Sequence, residues 1–237
     1  MWEAERDVFT FQVQQPLMDN KSPTKRNVLC AIASLFAPHQ FLAPFTVRAN
    51  ILMQEIWIAG IDWDDELPEN LKAKWEKRVS ELPQLSKVAI PRCLRRPNPV
   101  DIELHLFWDA SNDAFASVAY LVCRYQESRP SSCLIAWKCL VSPVKAMTIP
   151  RLELIGAVLS TRLARNILKV ITVDRTTFWS DSENVWYWPW FAIKAASSNH
   201  LLPTELAKFS ELQVLSSGDT CQERQSQQTC QQEGFLL

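Results

Sequence analysis

Glycine is scarce in this chain, which contains only four glycines in 237 residues. Gly60, Gly156, Gly218 and Gly234 stand apart, so no glycine-rich loop is available to cradle a phosphate. This excludes P-loop nucleotide hydrolases and dinucleotide-binding folds with a glycine fingerprint. The HExxH motif of zinc peptidases and the GxSxG turn of serine hydrolases are also missing from the sequence.

Long apolar runs and an excess of one charge are missing as well. No apolar segment reaches the roughly 20 residues that a membrane-spanning helix needs, and MWEAERDVFT has no apolar core typical of a signal peptide. The net charge is -1, so any nucleic-acid binding requires a local basic patch. The seven cysteines form no CxxC pair, which is typical of reduced, buried thiols. We therefore expect a protein of the cytoplasm or the nucleus, with no membrane partner.

The first hundred residues predict a mainly helical region. Thr24 suits the N-cap of a helix in SPTKRNVLCAIASLF, whose buried face we expect to include Val28 and Leu29. APFTVRANILMQEIWIAG predicts a second helix that ends near Gly60. A third helix is expected over 67–82 and an early strand over 7–14. The proline-rich IPRCLRRPNPVD predicts a linker, with a domain boundary near 92–101.

The pattern changes after residue 101. Three strands are predicted over 103–109, 114–124 and 132–141, followed by a helix over 150–170 and a short strand in TTFWSD. A helix is expected next, in SENVWYW. Three meandering strands followed by helix, strand and helix predict a mixed α/β sheet.

Three acidic residues fall at the ends of these elements. Asp109 ends the first strand, Asp181 ends the strand after the helix, and Glu153 is predicted in the first turn of that helix. If the first and fourth strands are central neighbours, all three carboxylates emerge at one end of the sheet. Converging carboxylates repel and raise one another's pKa unless a divalent cation neutralises them. Such oxygen ligands suit Mg²⁺ or Mn²⁺, which can activate water in phosphodiester hydrolysis.

Each acid also has a purely structural explanation. Asp109, followed by Ala-Ser-Asn, suits the start of a turn. Glu153 suits the positive end of a helix, and Asp181 suits the N-cap of the next helix. The order of the three along the chain favours a shared metal site over three separate explanations.

The order of the three acids along the chain resembles that of the catalytic acids in ribonuclease H. Residues 1–190 resemble the part of BEL/Pao-type retrotransposon Pol polyproteins that follows the polymerase palm. SPTKRNVLCAIASLFAPHQFLAPFTVRANILMQEIWIAGIDWDDELP resembles that family's thumb-like helices. HLFWDASNDAFASVAYL, AMTIPRLELIGAVLSTRLA and FWSDSENVWYW resemble its RNase H-like domain. The resemblance implies an α/β fold: an RNase H-like mixed five-stranded sheet with flanking helices, preceded by a smaller, mainly helical thumb or connection-like region. The implied domains are 1–98, a C-terminally incomplete RNase H-like domain over 101–200, and a degenerate or disordered tail over 201–237.

The resemblance also implies a site and a substrate. Asp109, Glu153 and Asp181 become the catalytic metal ligands, for two Mg²⁺ or Mn²⁺ ions in an intact family member. The implied substrate is an RNA–DNA hybrid or other nucleic acid, gripped through phosphates and 2′-hydroxyls. The implied partner is the remainder of the Pol polyprotein, and the Tyr-x-Asp-Asp turn of the polymerase is absent from this chain. Candidate substrate contacts are Ser111, Asn112, Lys145 and Arg151.

The tail departs from the family pattern. After Pro189 the Asn-Pro-Ala-Asp-like stretch with the fourth acidic ligand is missing, and SSGDTCQERQSQQTCQQEGFLL is polar and rich in glutamine. A frameshift is one hypothesis for this ending. Because the fourth ligand is missing, we expect reduced metal occupancy. Two functions stay open: an RNase H-type endoribonuclease, or an inactive relic that only binds nucleic acid or has a structural role. The family also carries a peptidase name, but Asp181-Ser182-Glu183 lacks the glycine of the aspartic-peptidase motif.

Overall fold

The computed structural model describes residues 2–11, 23–35, 40–181 and 211–214. A small antiparallel sheet and three helices make up its N-terminal part. The sheet has the order β1 (Trp2–Glu3), β2 (Val8–Thr10) and β3 (Ala89–Pro91). Between β2 and β3 in the chain come α1 (Lys25–Ser34), α2 (Ala43–Ile58), α3 (Glu69–Glu81) and a 3-10 helix, Leu82–Lys87.

The ends of these elements follow from local chemistry. The Thr24 hydroxyl oxygen accepts the N–H of Asn27 at 3.3 Å, which confirms the predicted N-cap of α1. Gly60, with a φ of +68°, follows the end of α2 and confirms the predicted stop. The predicted strand over 7–14 is shorter than expected: Asp7 has a positive φ, β2 ends at Thr10, and 12–14 lie outside the described residues.

The core of this helical part lies between α1, α2 and α3. Val28, Leu52 and Ile56 are buried there, with Leu71 of α3 packed in the same cluster. Leu29, which we expected on the buried face, is 40% exposed. The reason is geometric, because α1 contacts this cluster through Val28 and Ile32, and Leu29 is turned away from it.

A mixed sheet forms the second half of the structure. Its elements are β4 (Asp101–Ala110), β5 (Ala114–Arg124), β6 (Ser131–Val141), α4 (Ile149–Leu168) and β7 (Arg175–Ser180), with β8 (Glu211–Val214) as a four-residue segment. The strand order is β6-β5-β4-β7-β8. β4 pairs antiparallel with β5 and parallel with β7, and β5 pairs antiparallel with β6. The predicted mixed α/β, RNase H-like fold class is confirmed. Apart from β8, the tail predicted over 201–237 lies outside the described residues, as does the helix expected in SENVWYW.

α4 covers one face of this sheet. Strand side chains alternate between the two faces, so Leu104, Leu106 and Trp108 of β4 share one face. They are buried in a cluster with Ala157 and Ala164 of α4. Odd-numbered β4 residues, Asp109 among them, therefore belong to the opposite face. Within the described part of the chain, no helix is long and apolar enough to cross a membrane.

The helical part is hydrogen-bonded to the sheet along β6. Gln54 of α2 donates its side-chain N–H to the carbonyl oxygen of Ser142 at 2.8 Å. The backbone N–H of Cys139 donates to the side-chain oxygen of Gln40 at 3.2 Å. The predicted linker is also hydrogen-bonded to the segment that follows β5, since the N–H of Arg96 donates to the Tyr125 hydroxyl at 2.9 Å. The domain boundary near 92–101 stays a prediction, and β4 begins at Asp101, the last residue of that range.

Candidate active site

The pairing of β4 with β7 determines where two of the predicted acids lie. The two strands are parallel neighbours, which meets the condition for the acids to share one edge, and Phe107 is level with Trp179. Asp109 and Asp181 each come two residues later, so both reach the same edge of the sheet on the same face. Neighbouring strands are about 4.8 Å apart, which makes the two carboxylates close neighbours.

The charges of the other two acids act on Asp109. Partial burial raises the pKa of the Asp109 carboxyl above its usual value, and the negative charges of Asp181 and Glu153 raise it further. One interaction opposes them: the backbone N–H of Ala110 donates to Asp109 Oδ1 at 2.6 Å and lowers the pKa. The repulsion expected between converging carboxylates therefore acts on Asp109, and Asp181 contributes more to it than Glu153 does.

A close approach of α4 brings Glu153 to this edge. A Cβ atom added to Gly156 would lie 3.1 Å from Trp108 Cδ1 and 3.8 Å from the Asp109 carbonyl oxygen. Glu153 precedes Gly156 by three residues, so both lie on the same side of the helix. Gly156 had no predicted role, although a lone glycine within a helical pattern is a signal of close packing.

One detail of the prediction for Glu153 is wrong. α4 begins at Ile149, and its first turn contains no acidic residue. Glu153 therefore lies at the start of the second turn. The helix starts earlier than predicted because proline is accepted at the first positions of a helix, and Pro150 follows Ile149 there.

The three acids approach the rim from two sides. Asp109 and Asp181 belong to the face away from α4, whereas Glu153 comes from the helix that covers the other face. Across residues 2–11, 23–35 and 40–181, no three His, Cys, Asp or Glu side chains are grouped closely enough to hold a metal ion. The carboxylate oxygens suit a hard cation such as Mg²⁺ in their chemistry. A complete three-ligand site stays a prediction.

Ser111 closes the turn between β4 and β5. Its N–H donates to the carbonyl oxygen of Ala114 at 2.8 Å, and its hydroxyl oxygen accepts the N–H groups of Asp113 and Ala114 at 3.3 and 3.2 Å. The carbonyl oxygen of Ser111 also accepts the hydroxyl of Ser142 at 3.3 Å. The turn is thus built around Ser111, while the carboxylate of Asp109 binds the adjacent Ala110 N–H at the strand end.

The other predicted contacts are exposed at the same end of the sheet. Asn112 lies in the β4–β5 turn, Lys145 in the connection from β6 to α4, and Arg151 in the first turn of α4. The β4–β5 turn and the β6–α4 connection are joined, because Ser142 donates its N–H to the carbonyl oxygen of Asp113 at 2.8 Å. Two cations and one amide side chain therefore lie at the end of the sheet that carries Asp109, and their role as substrate contacts stays a prediction.

These features define a class: an RNase H-like α/β domain with acidic residues at one edge of its two central parallel strands. A family model described as Pao retrotransposon-like RNaseH-like domain matches residues 24–182 of this chain. Because the match covers more than half of the chain, the chain belongs to this Pao retrotransposon family. The match spans both the helical part and the sheet. Among curated proteins, no sequence matches this chain.

Two solved structures align with about nine tenths of this chain. The first is a foamy viral protease-reverse transcriptase dRH in complex with double-stranded DNA, with a TM-score of 0.50 and 12% sequence identity, covering 90% of this chain and 38% of that chain. The second is a foamy viral protease-reverse transcriptase with double-stranded DNA, with a TM-score of 0.45 and 12% identity, covering 91% and 46%. At this identity the first likeness shows a shared fold alone. The chain spans less than half the length of either protein.

Proposed function

We propose that this chain is a segment of a retrotransposon Pol polyprotein whose RNase H-like domain cleaves the RNA strand of an RNA–DNA hybrid with a divalent metal ion. The observation that supports this most is the parallel pairing of β4 with β7. It sets Asp109 and Asp181 level at one sheet edge, and the charge of Glu153 acts on Asp109. The remainder of Pol is the proposed partner.

The acidic residues have distinct roles in this proposal. Asp109 and Asp181 would hold the Mg²⁺ or Mn²⁺ ion from neighbouring strands, and Glu153 would complete the ligand set from α4. A bound divalent ion supplies an activated water and stabilises charge on the phosphate. The Ala110 N–H orients one oxygen of Asp109, at 2.6 Å. Protonation of Asp109 competes with the cation, so the raised pKa of this carboxyl predicts weaker binding in acid.

Substrate binding is proposed to act through the nucleic-acid backbone. Lys145 and Arg151 are exposed cations near the acidic edge and suit phosphate groups, while Asn112 suits a 2′-hydroxyl. The Ser111 hydroxyl is committed to the turn. Its proposed contribution is therefore to place Asn112 and the strand end carrying Asp109.

A hybrid-cleavage assay tests the proposal. The protein is incubated with an RNA–DNA hybrid and Mg²⁺, beside an Asp109→Asn variant and an Asp113→Asn control from the same exposed turn. We expect RNA cleavage by the wild type and by the control. Loss of a metal ligand should lower the rate in Asp109→Asn by about 100-fold or more, since even outer-shell partners are worth 10–100-fold. Equal rates in all three proteins would refute the proposed site.

A second function, binding without catalysis, is favoured by two specific observations. No three acidic, histidine or cysteine side chains in the described ranges are grouped closely enough to hold a metal. The sequence also lacks the fourth acid that its family resemblance implies. The same experiment distinguishes this alternative, because a relic binds the hybrid and leaves its RNA intact in all three proteins.

A further inference from the structure

A buried carboxylate lies on the sheet face that carries Asp109 and Asp181. Glu103 of β4 is only 3% exposed. Arg124 of β5 meets it with two hydrogen bonds, Nη1 to Oε1 at 3.0 Å and Nη2 to Oε2 at 3.2 Å. Arg175 of β7 lies 3.6 Å from Oε1. Two arginines thus neutralise one buried acid from the strands on both sides of β4.

His105 connects this acid to β7. Its Nε2 lies 3.1 Å from Glu103 Oε2, and its Nδ1 lies 2.9 Å from Trp179 Nε1. The indole N–H can only donate, so Nδ1 must be the acceptor and carries no hydrogen. Nε2 therefore carries the hydrogen and donates to Glu103. Both bonds exist together only while the imidazole is neutral.

Ring contacts with Phe107 and with His105 itself also hold the Trp179 side chain. It stacks on Phe107 with ring centroids 5.9 Å apart and an angle of 10° between the planes, and on His105 at 5.9 Å and 24°. Phe107 and Trp179 directly face each other across β4 and β7, and Asp109 and Asp181 lie two residues further along the same face. The position of the indole therefore determines how the last residues of β7 lie against β4.

We infer that His105 is a positioning residue: its neutral ring, held between Glu103 and Trp179, fixes the end of β7 and so places Asp181 beside Asp109. The inference deepens the proposed function, on which the role of the two carboxylates rests. A proton added at Nδ1 faces the Trp179 N–H and removes the only acceptor atom of that bond. Acid therefore frees the indole and loosens the acidic end of β7.

The groups around His105 set its pKa and therefore the pH at which the ring is protonated. Burial lowers the pKa of His105 below its usual value of 6.5, and Glu103 opposes this by its hydrogen bond and its charge. The positive charges of Arg124 and Arg175 lower the pKa further. Tyr120 faces His105 from β5 in the strand register, and α4 lies on the other side of the sheet. The neutral state is therefore the one present at physiological pH.

The test follows the indole N–H of Trp179 by NMR while His105 is titrated, with the full chain and no metal. We expect this resonance to shift with the His105 titration, and the backbone amides of β7 to lose about 10-fold or more in exchange protection. In His105→Asn, the amide oxygen keeps an acceptor near the position of Nδ1 and cannot be protonated. Both signals should then be independent of pH over the same range. The inference would be overturned if the Trp179 indole resonance did not shift as His105 titrates. It would also be overturned if this resonance showed the same pH dependence in His105→Asn.

Mn²⁺ affinity gives a second readout. Trp179→Phe keeps an aromatic ring against Phe107 and removes the donor, so we expect about 10-fold weaker Mn²⁺ binding, as for other outer-shell partners. Asp113→Asn, from the exposed β4–β5 turn, is the control and should bind Mn²⁺ as the wild type does. Equal affinity in Trp179→Phe and wild type overturns the positioning role even if the hybrid is cleaved. If the hybrid is not cleaved but the indole follows His105, the nuclease proposal fails and the coupling of His105 to β7 stands.

Discussion

Replacing Gly156 by alanine tests how α4 is held against the sheet. The added Cβ atom would lie 3.1 Å from Trp108 Cδ1, and Trp108 is only 5% exposed. Favourable carbon–carbon contacts lie at about 3.5–4.0 Å, so the helix or the indole has to move by a few tenths of an ångström. Because Glu153 is on the same side of α4, any such shift also moves the proposed ligand.

Two opposing terms determine the size of the effect. Alanine is favoured over glycine inside a helix by about 1 kcal/mol. Overpacking a well-filled core costs about 1–3 kcal/mol. We therefore expect Gly156→Ala to destabilise the fold by about 1 kcal/mol. The bulkier Gly156→Val adds two more methyl groups at the same place, so its cost should be about 3 kcal/mol or more.

Urea unfolding followed by far-ultraviolet circular dichroism measures these free energies. Asn166→Ala serves as the control, since Asn166 is an exposed residue of the same helix. A surface change of this kind should stay within about 0.5 kcal/mol of the wild type. If Gly156→Ala instead stabilised the protein by the full helix preference of about 1 kcal/mol, α4 would not approach Trp108 this closely. The placement of Glu153 would then lose its support.

Three further changes probe the remaining parts of the fold and site. Thr24→Ala removes the N-cap of α1 and should lower the free energy of unfolding by about 1 kcal/mol, which thermal melts against a Thr46→Ala control would detect. Ser111→Ala removes a hydroxyl that accepts two backbone N–H groups, so a loss of about 1 kcal/mol is expected; an unchanged midpoint in urea would contradict the role of Ser111 in the turn. The pKa of the Asp109 carboxyl is raised in the folded state. Ionisation of this carboxyl therefore destabilises the fold as pH rises through the folded-state pKa, and Asp109→Asn should stabilise the protein at pH 7. That gain should vanish below the usual Asp pKa of 3.8, and a gain that persists there would disprove its electrostatic origin.

Periodicity predicted the elements of the second half within a few residues. The strands expected over 103–109, 114–124 and 132–141 are β4, β5 and β6, each extended by no more than two residues at an end. They were predictable because their apolar residues alternate and polar turns separate them. The pairing of the first and fourth strands was only a condition for the site, because strand order cannot be read from local patterns. In the structure the two strands pair in parallel, which brings Asp109 beside Asp181.

Contacts between distant residues were beyond the reach of the sequence. In DIELHLFWD, Glu103 and His105 look like solvent-facing members of an alternating strand. Glu103 is buried because Arg124 and Arg175 reach it from two other strands. No local pattern reveals such a pairing. The exposure of Leu29 was mispredicted for a related reason, since it depends on which helices pack against α1.

The most direct test of the central claim is a Mn²⁺ titration of the protein followed by electron paramagnetic resonance. The wild type should bind Mn²⁺ at the edge formed by β4 and β7, and Asp181→Asn should weaken that binding by about 10-fold or more. Asp113→Asn, with its acid in the neighbouring turn, should bind as the wild type does. Equal Mn²⁺ affinity in wild type and Asp181→Asn would contradict a metal site built on these two strands.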